Sequence, residues 1–138
     1  KFMKKMNNKG FTLMEVLIVV AIIAVLIAIA IPVFTGQLEK ARDAVSVANL
    51  RSAYAEAQVT YLLGDTGNAE ITGTYTGTGE IQFITVSGVV FKGKTADSFS
   101  GLGTELPFTP PNPEPAPGTK AVKFEYNKDG SIKEVTVP

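Results

Sequence analysis

One side chain in this sequence stands out chemically because it is a carboxylate in the wrong solvent. In the stretch NNKGFTLMEVLIVVAIIAVLIAIAIPVF, residues 7–34, Glu15 sits at the mouth of a run that carries no charged or strongly polar side chain through Phe34. A carboxylate at the centre of a bilayer costs about 2.5–3.5 kcal/mol on insertion scales, and less near the interface. It is tolerated in an apolar setting when a cation meets it. Glu15 is therefore a candidate for ion pairing, which is recognition and not bond-making. Bond-making has few candidates. The chain has no Cys and no His, so thiolate or imidazole ligation of zinc or haem, Cys- or His-based catalysis, and any disulfide framework are excluded. The reading is of a non-enzyme without a cofactor or metal site.

The element that must position Glu15 is a helix. The 19 residues from 16 to 34 rise roughly 28 Å as an α-helix, against a bilayer hydrocarbon thickness of about 30 Å. Lys1, Lys4, Lys5 and Lys9 precede it, while Lys40 and Arg42 beyond it are offset by Glu39 and Asp43. This bias holds the N-terminus in the cytoplasm and sends the C-terminus outside. Without the first ten residues the chain has nine basic and thirteen acidic side chains, which does not suggest a nucleic-acid-binding domain. A secretory signal peptide, with a cut after Ala28–Ala30, fits the basic start but not the length of the run or Pro32 soon after the cut. A plain signal-anchor explains the run and its orientation but not Glu15.

The residues KGFTLMEVLIVVAIIAVLIAIAIPVF resemble the class III signal and N-terminal helix of type IV pilins and pseudopilins. The resemblance rests on a short basic leader, a Gly-Phe junction, a glutamate four residues past that Phe, and a proline well down the apolar run. It covers residues 9–34 and continues more loosely to about residue 63. Met14 stands where a branched aliphatic residue is common. The resemblance implies that prepilin peptidase cuts between Gly10 and Phe11 and that Phe11 is N-methylated. It also implies that Glu15, with Phe11 and Thr12, serves assembly, the Glu15 carboxylate meeting the N-terminal amine of a neighbouring subunit. Pro32 is expected to kink the helix, because it donates no hydrogen bond to the carbonyl of Ala28. By resemblance, residues 24–32 can also lose helix inside a filament.

Beyond Phe34 the pattern stays helical. Leu38, Ala41, Val45, Ala48, Ser52, Ala55, Val59 and Leu62 recur at spacings of three and four. That stripe is expected to face a sheet, with Glu39, Lys40, Arg42, Asp43, Arg51 and Glu56 mostly off it and solvated or facing a neighbour. Gly64-Asp65 is the expected stop. Tyr54 and Tyr61 are read as packing against the sheet. Residues 64–79 read as a loop, and the TGTYTGTG within it lacks the lysine and the strand–loop–helix setting of a phosphate loop. EIQFITVSGVVFKG reads as two strands joined near Ser87-Gly88. Residues 107–117 are proline-rich and cannot be a central strand. AVKFEYNKDGSIKEVTV reads as a hairpin, Val122, Phe124 and Tyr126 alternating with Lys123 and Glu125 about a turn at residues 127–130. Asp97, Glu105 and Asp129 are read as solvated or turn carboxylates, since no EF-hand spacing is present.

The expected fold is α+β: a long N-terminal helix, apolar then amphipathic and kinked at Pro32, packed on a small antiparallel sheet, which is also the type IV pilin fold. Residues 1–10 form a basic leader, 11–34 a transmembrane and fibre-core helix, 35–63 its amphipathic half, and 64–138 the loop and sheet of a globular head. The function implied is a structural subunit of an extracellular type IV pilus. It is a single-pass membrane prepilin before assembly and a surface fibre after it. Its partners are copies of itself, prepilin peptidase, the pilus assembly platform and minor pilins, and no nucleic acid is expected for the subunit. The alternatives are a pseudopilin of a type II secretion or DNA-uptake system, and a membrane-tethered binding module that never polymerises.

Overall fold

A computed structural model describes residues 12–94 and 99–138. One helix, α1, spans Leu13–Leu63. It is followed by β1 (Ala69–Thr74), β2 (Ile81–Phe91), a short 3-10 segment (Phe99–Glu105), β3 (Gly118–Tyr126) and β4 (Ile132–Thr136). The strands form one antiparallel sheet in the order β1-β2-β3-β4. The architecture is thus α+β, a long N-terminal helix on a four-stranded antiparallel sheet.

The chain divides into two units, residues 1–37 and 38–138. In the first, every described side chain is exposed, and α1 there is long and apolar enough to cross a membrane. Pro32 lies inside α1, where it supplies no N–H to the turn before it. The helix ends as the sequence reading expects: Gly64, at φ +99°, adopts the left-handed conformation open to glycine and donates its N–H to the Thr60 carbonyl at 2.8 Å.

In the second unit, a single row of the sheet carries the centre of the core. Ile71 pairs with Ile84, Ile84 with Phe124, and Phe124 with Val135. The last three are buried, and so are Val122 and Tyr126 on the same face of β3. The alternation of Val122, Phe124 and Tyr126 with Lys123 and Glu125 therefore forms as the sequence reading expects. Tyr54 packs its ring 5.3 Å from Phe108 and 6.3 Å from Phe124, and Tyr61 stacks on Tyr126 at 4.6 Å. Both tyrosines pack against the sheet side, as expected.

The helix meets this core with a different face from the expected one. Leu38, Ala41, Val45, Ala48, Ser52, Ala55, Val59 and Leu62 are all exposed. The buried helix residues are Asp43, Ser46, Val47, Leu50, Ala53, Ala57 and Thr60, on nearly the opposite side of a 3.6-residue helix. The small side chains Ser46, Ala53 and Ala57 let the sheet approach closely, and Val47 and Leu50 fill the space.

Asp43, expected to be solvated or to face a neighbour, is fully buried. Its Oδ2 accepts the hydroxyl of Ser100, and Glu114, also buried, accepts the Phe99 N–H at Oε2 (2.9 Å). Phe99 and Ser100 have φ of 61° and 52°, a left-handed conformation that costs a non-glycine residue about 1–3 kcal/mol. These two bonds and the full burial of the Phe99 ring hold them there. The Ser46 hydroxyl accepts the Lys92 N–H at 2.8 Å, fixing the end of β2 to the same stretch of helix.

Two further readings are corrected. The glycine- and threonine-rich stretch expected to be loop contains β1, whose Ala69 is buried. The segment expected to be two strands is one strand, β2. Its register shifts between Val86 and Val89, where Gly88 takes φ +78° and Ser87 turns its N–H and hydroxyl to the Asn68 carbonyl at 2.9 and 3.2 Å. The Ser-Gly pair makes a bulge, not a turn, and both valines stay buried. The proline-rich residues form no strand, as expected, although Pro111 and Pro115 are buried. The terminal hairpin turns through a short loop in which the Asp129 carboxylate accepts the Ser131 N–H and hydroxyl. Those bonds hold its acid below the usual carboxylate range. Asp97 lies outside the described residues.

Candidate assembly site

The N-terminal site is built by helix capping. The Thr12 hydroxyl oxygen accepts the Glu15 N–H at 3.2 Å, and Glu15 Oε2 accepts the Thr12 N–H at 3.2 Å. This is a reciprocal capping box, which satisfies two of the amides that a helix start leaves without partners. The carboxylate also lies at the positive end of the helix dipole. Glu15 Oε1 makes no hydrogen bond among the described residues. The structure thus brings Thr12 and Glu15 together; Gly10 and Phe11 lie outside the described residues. Sequence reasoning paired Thr12 with Glu15 for assembly but missed the cap, whose signal was the Thr-x-x-Glu spacing itself.

Past the cap, the exposed side chains from Leu13 to Phe34 are apolar nearly all round the helix. Near Pro32, the Thr35 hydroxyl donates to the Ile31 carbonyl at 2.9 Å. In the second unit, Leu38, Val45, Val59 and Leu62 leave an apolar stripe in solvent, Leu62 at 77% exposure. A cleft of about 860 Å³ between the proline-rich loop and β4 is lined mainly by prolines and β4 side chains. Among the described residues no group of three or more acidic, Cys or His side chains is placed to hold a metal. Chemically, the exposed features are suited to association: an apolar helix surface and a capped carboxylate at its start.

Comparison with known proteins agrees with this placement. The prokaryotic N-terminal methylation motif matches residues 5–31. The chain is 49% identical over 57 residues to the type IV narrow pilus major component PilA5 of Thermus thermophilus, covering 39% of this chain and 49% of that one. It is 51% identical over 47 residues to the wide pilus major component PilA4 of the same organism, covering 34% and 36%. It is 47% identical over 48 residues to the type IV major pilin PilA of Myxococcus xanthus, covering 35% and 22%. The matched part is thus half or less of each relative's length. No solved structure matches significantly. Over its N-terminal part the chain thus carries a prokaryotic N-terminal methylation motif and is similar there to major components of type IV pili.

Proposed function

We propose that this chain is a structural subunit of a type IV pilus, inserted in the membrane as a prepilin and polymerised through α1. The observation that carries the reading is the exposed apolar surface of α1 from Leu13 to Phe34, opened by the capped Glu15. In water such a surface is insoluble alone; it belongs in lipid or against copies of itself. Prepilin peptidase cuts between Gly10 and Phe11, and methylation of the new Phe11 amine keeps its charge. The lysines of the leader keep the N-terminus cytoplasmic. On assembly the subunit leaves the membrane for a surface fibre, with an assembly platform and minor pilins as further partners. Pro32 kinks the helix and weakens it locally. Relatives that are major components of pili favour this reading over a pseudopilin.

Glu15 then has two tasks. In the subunit it caps its own helix; in the fibre its carboxylate draws a neighbouring Phe11 amine into register. The two tasks separate by mutation. Glu15→Gln keeps a side chain that reaches the Thr12 N–H but removes the charge, whereas Glu15→Val removes both. Sheared fibre is compared with membrane-retained monomer by immunoblot. Both variants should insert and be cleaved, and both should assemble poorly, because the Phe11 amine enters an apolar bundle unpaired. Wild-type fibre yield from Glu15→Gln would leave the carboxylate with the capping role only.

A further inference from the structure

We propose that Glu56 forms a pocket for a single cation, filled in the fibre by a lysine ammonium of a second copy of this chain. This rests on the polymerising-subunit reading above. Glu56 Oε2 is closed to solvent and accepts no hydrogen bond among the described residues. It lines a polar cleft of about 130 Å³ with Asn49, Ser52, Asn68 and Ser87. Asn49 has committed its Nδ2 to the Val90 carbonyl at 2.8 Å, and Ser87 has given its hydroxyl proton to the Asn68 carbonyl at 3.2 Å. Asn49 keeps its Oδ1 acceptor and a second N–H, and Ser87 keeps its oxygen as an acceptor, around one carboxylate. Hard oxygens with one negative charge suit one monovalent cationic head.

The second copy is indicated by where the cleft lies. Ser52 belongs both to its rim and to the exposed stripe of α1, and Ala55 and Val59 of the stripe flank Glu56. A neighbour covering the stripe removes the water that reaches this carboxylate. A carboxylate so enclosed is strongly unfavourable without a counter-charge. Within the chain most cations are engaged elsewhere. Arg42 lies 4.0 Å from Glu39, Arg51 donates to the Glu105 carbonyl at 3.0 Å, and Lys133 lies 3.1 Å from Glu125. Lys123 and Lys128 sit over the rings of Phe83 and Tyr75. Lys40, Lys92 and Lys94 are exposed, and their ammonium groups have no such contact among the described residues. Lys120 has none either, but it is half-buried and lines the cleft beside the proline-rich loop, so the incoming cation is one of the three exposed lysines.

The test uses the full chain in cells, reading sheared fibre against membrane-retained subunit, with thermal melting of the detergent-solubilised subunit alongside. Glu56→Lys should lower fibre yield about tenfold or more without moving the melting temperature. One of Lys40→Glu, Lys92→Glu or Lys94→Glu should restore fibre in that background. The near-isosteric Glu56→Gln should melt as wild type and also assemble less well. Fibre from Glu56→Lys within twofold of wild type would overturn the proposal, and so would failure of all three charge swaps. A melting temperature that falls in Glu56→Gln would assign Glu56 a role inside the subunit instead. Loss of wild-type fibre on adding EDTA, with none in Glu56→Gln, would put an inorganic ion in the pocket. Absence of fibre from the wild type would overturn the parent reading and not this one alone.

Discussion

Asp43 of the helix and Glu114 of the proline-rich loop bring their carboxylates together over the α-carbon of Gly93. Both side chains are out of solvent, and a Cβ on residue 93 would overlap Asp43 Oδ1 and Glu114 Oε1. Gly93 is thus required by close approach, and a side chain there must push apart groups that already hold Ser100 and Phe99. Gly93→Ala should destabilise the subunit by about 1–3 kcal/mol, as overpacking does. Denaturant unfolding of the detergent-solubilised chain measures it, and an unchanged midpoint would show that the carboxylates yield freely.

Tyr126 presents the reverse case, a buried phenol with more polar capacity than its surroundings use. Its hydroxyl finds no hydrogen bond among the described residues. Burial chiefly, with smaller effects from the Tyr54 and Tyr61 phenols, pushes its pKa well above the ordinary value near 10. The fold therefore favours the neutral form. This contribution is complete below the unfolded phenol's value of about 10 and is lost as pH rises through the higher folded-state value. Tyr126→Phe should be equally stable at pH 7 or about 1 kcal/mol more stable, and its stability should fall less between pH 10 and 12. Parallel alkaline slopes in the two proteins would contradict this.

Phe124 sits where sheet and helix meet, fully buried between Tyr54 and Phe108. Phe124→Ala should lower stability by about 3–5 kcal/mol, a large share of what a small domain has. Urea unfolding by circular dichroism would show it.

The stripe of α1 left in solvent should behave in the opposite way. Leu62→Ser replaces a side chain at 77% exposure and should change subunit stability by no more than about 0.5 kcal/mol. On the fibre reading it should reduce assembly. Melting temperature and sheared fibre yield, measured on the same variant, separate the two effects.

Loss of the cap is a local matter. Thr12→Ala removes the hydroxyl that accepts the Glu15 N–H and should cost the helix start about 1 kcal/mol. Faster amide exchange in the first turn of α1, with none in β3, is the expected pattern.

The elements that were legible in the sequence were those with one clear period. The Val122-Phe124-Tyr126 alternation named its own strand, and Gly64 named the end of the helix. The buried face of the helix was not legible, because residues 38–63 carry two low-polarity faces. The stripe with the larger apolar groups, Val45, Val59 and Leu62, was taken for the core side, but the core uses the face with small residues that admit the sheet. Asp43 could not be placed from its neighbours in sequence, since its burial depends on Ser100 and Glu114 far along the chain. β1 was hidden because its sequence AEITGT has too few large apolar residues to show a strand period. At the candidate assembly site, Glu15 is conspicuous as a lone charge in an apolar run. Its capping partner was overlooked beside that charge.

The sheet ends on β1 and β4, so on the fibre reading each copy would carry two edge strands into a crowded polymer. Such edges invite strand-to-strand growth, which would compete with an ordered fibre and be far harder to reverse. Each edge carries a discouragement. β4 is only five residues long and turns Lys133 and Glu134 to solvent, and β1 shows Glu70. β1 is also irregular at Gly73, where the Phe83 ring lies 2.6 Å from the position a Cβ would take. Short, charged and irregular edges leave helix packing as the open route of association. On the fibre reading, such edges would also guard against amyloid-like stacking at the concentrations that fibre growth demands.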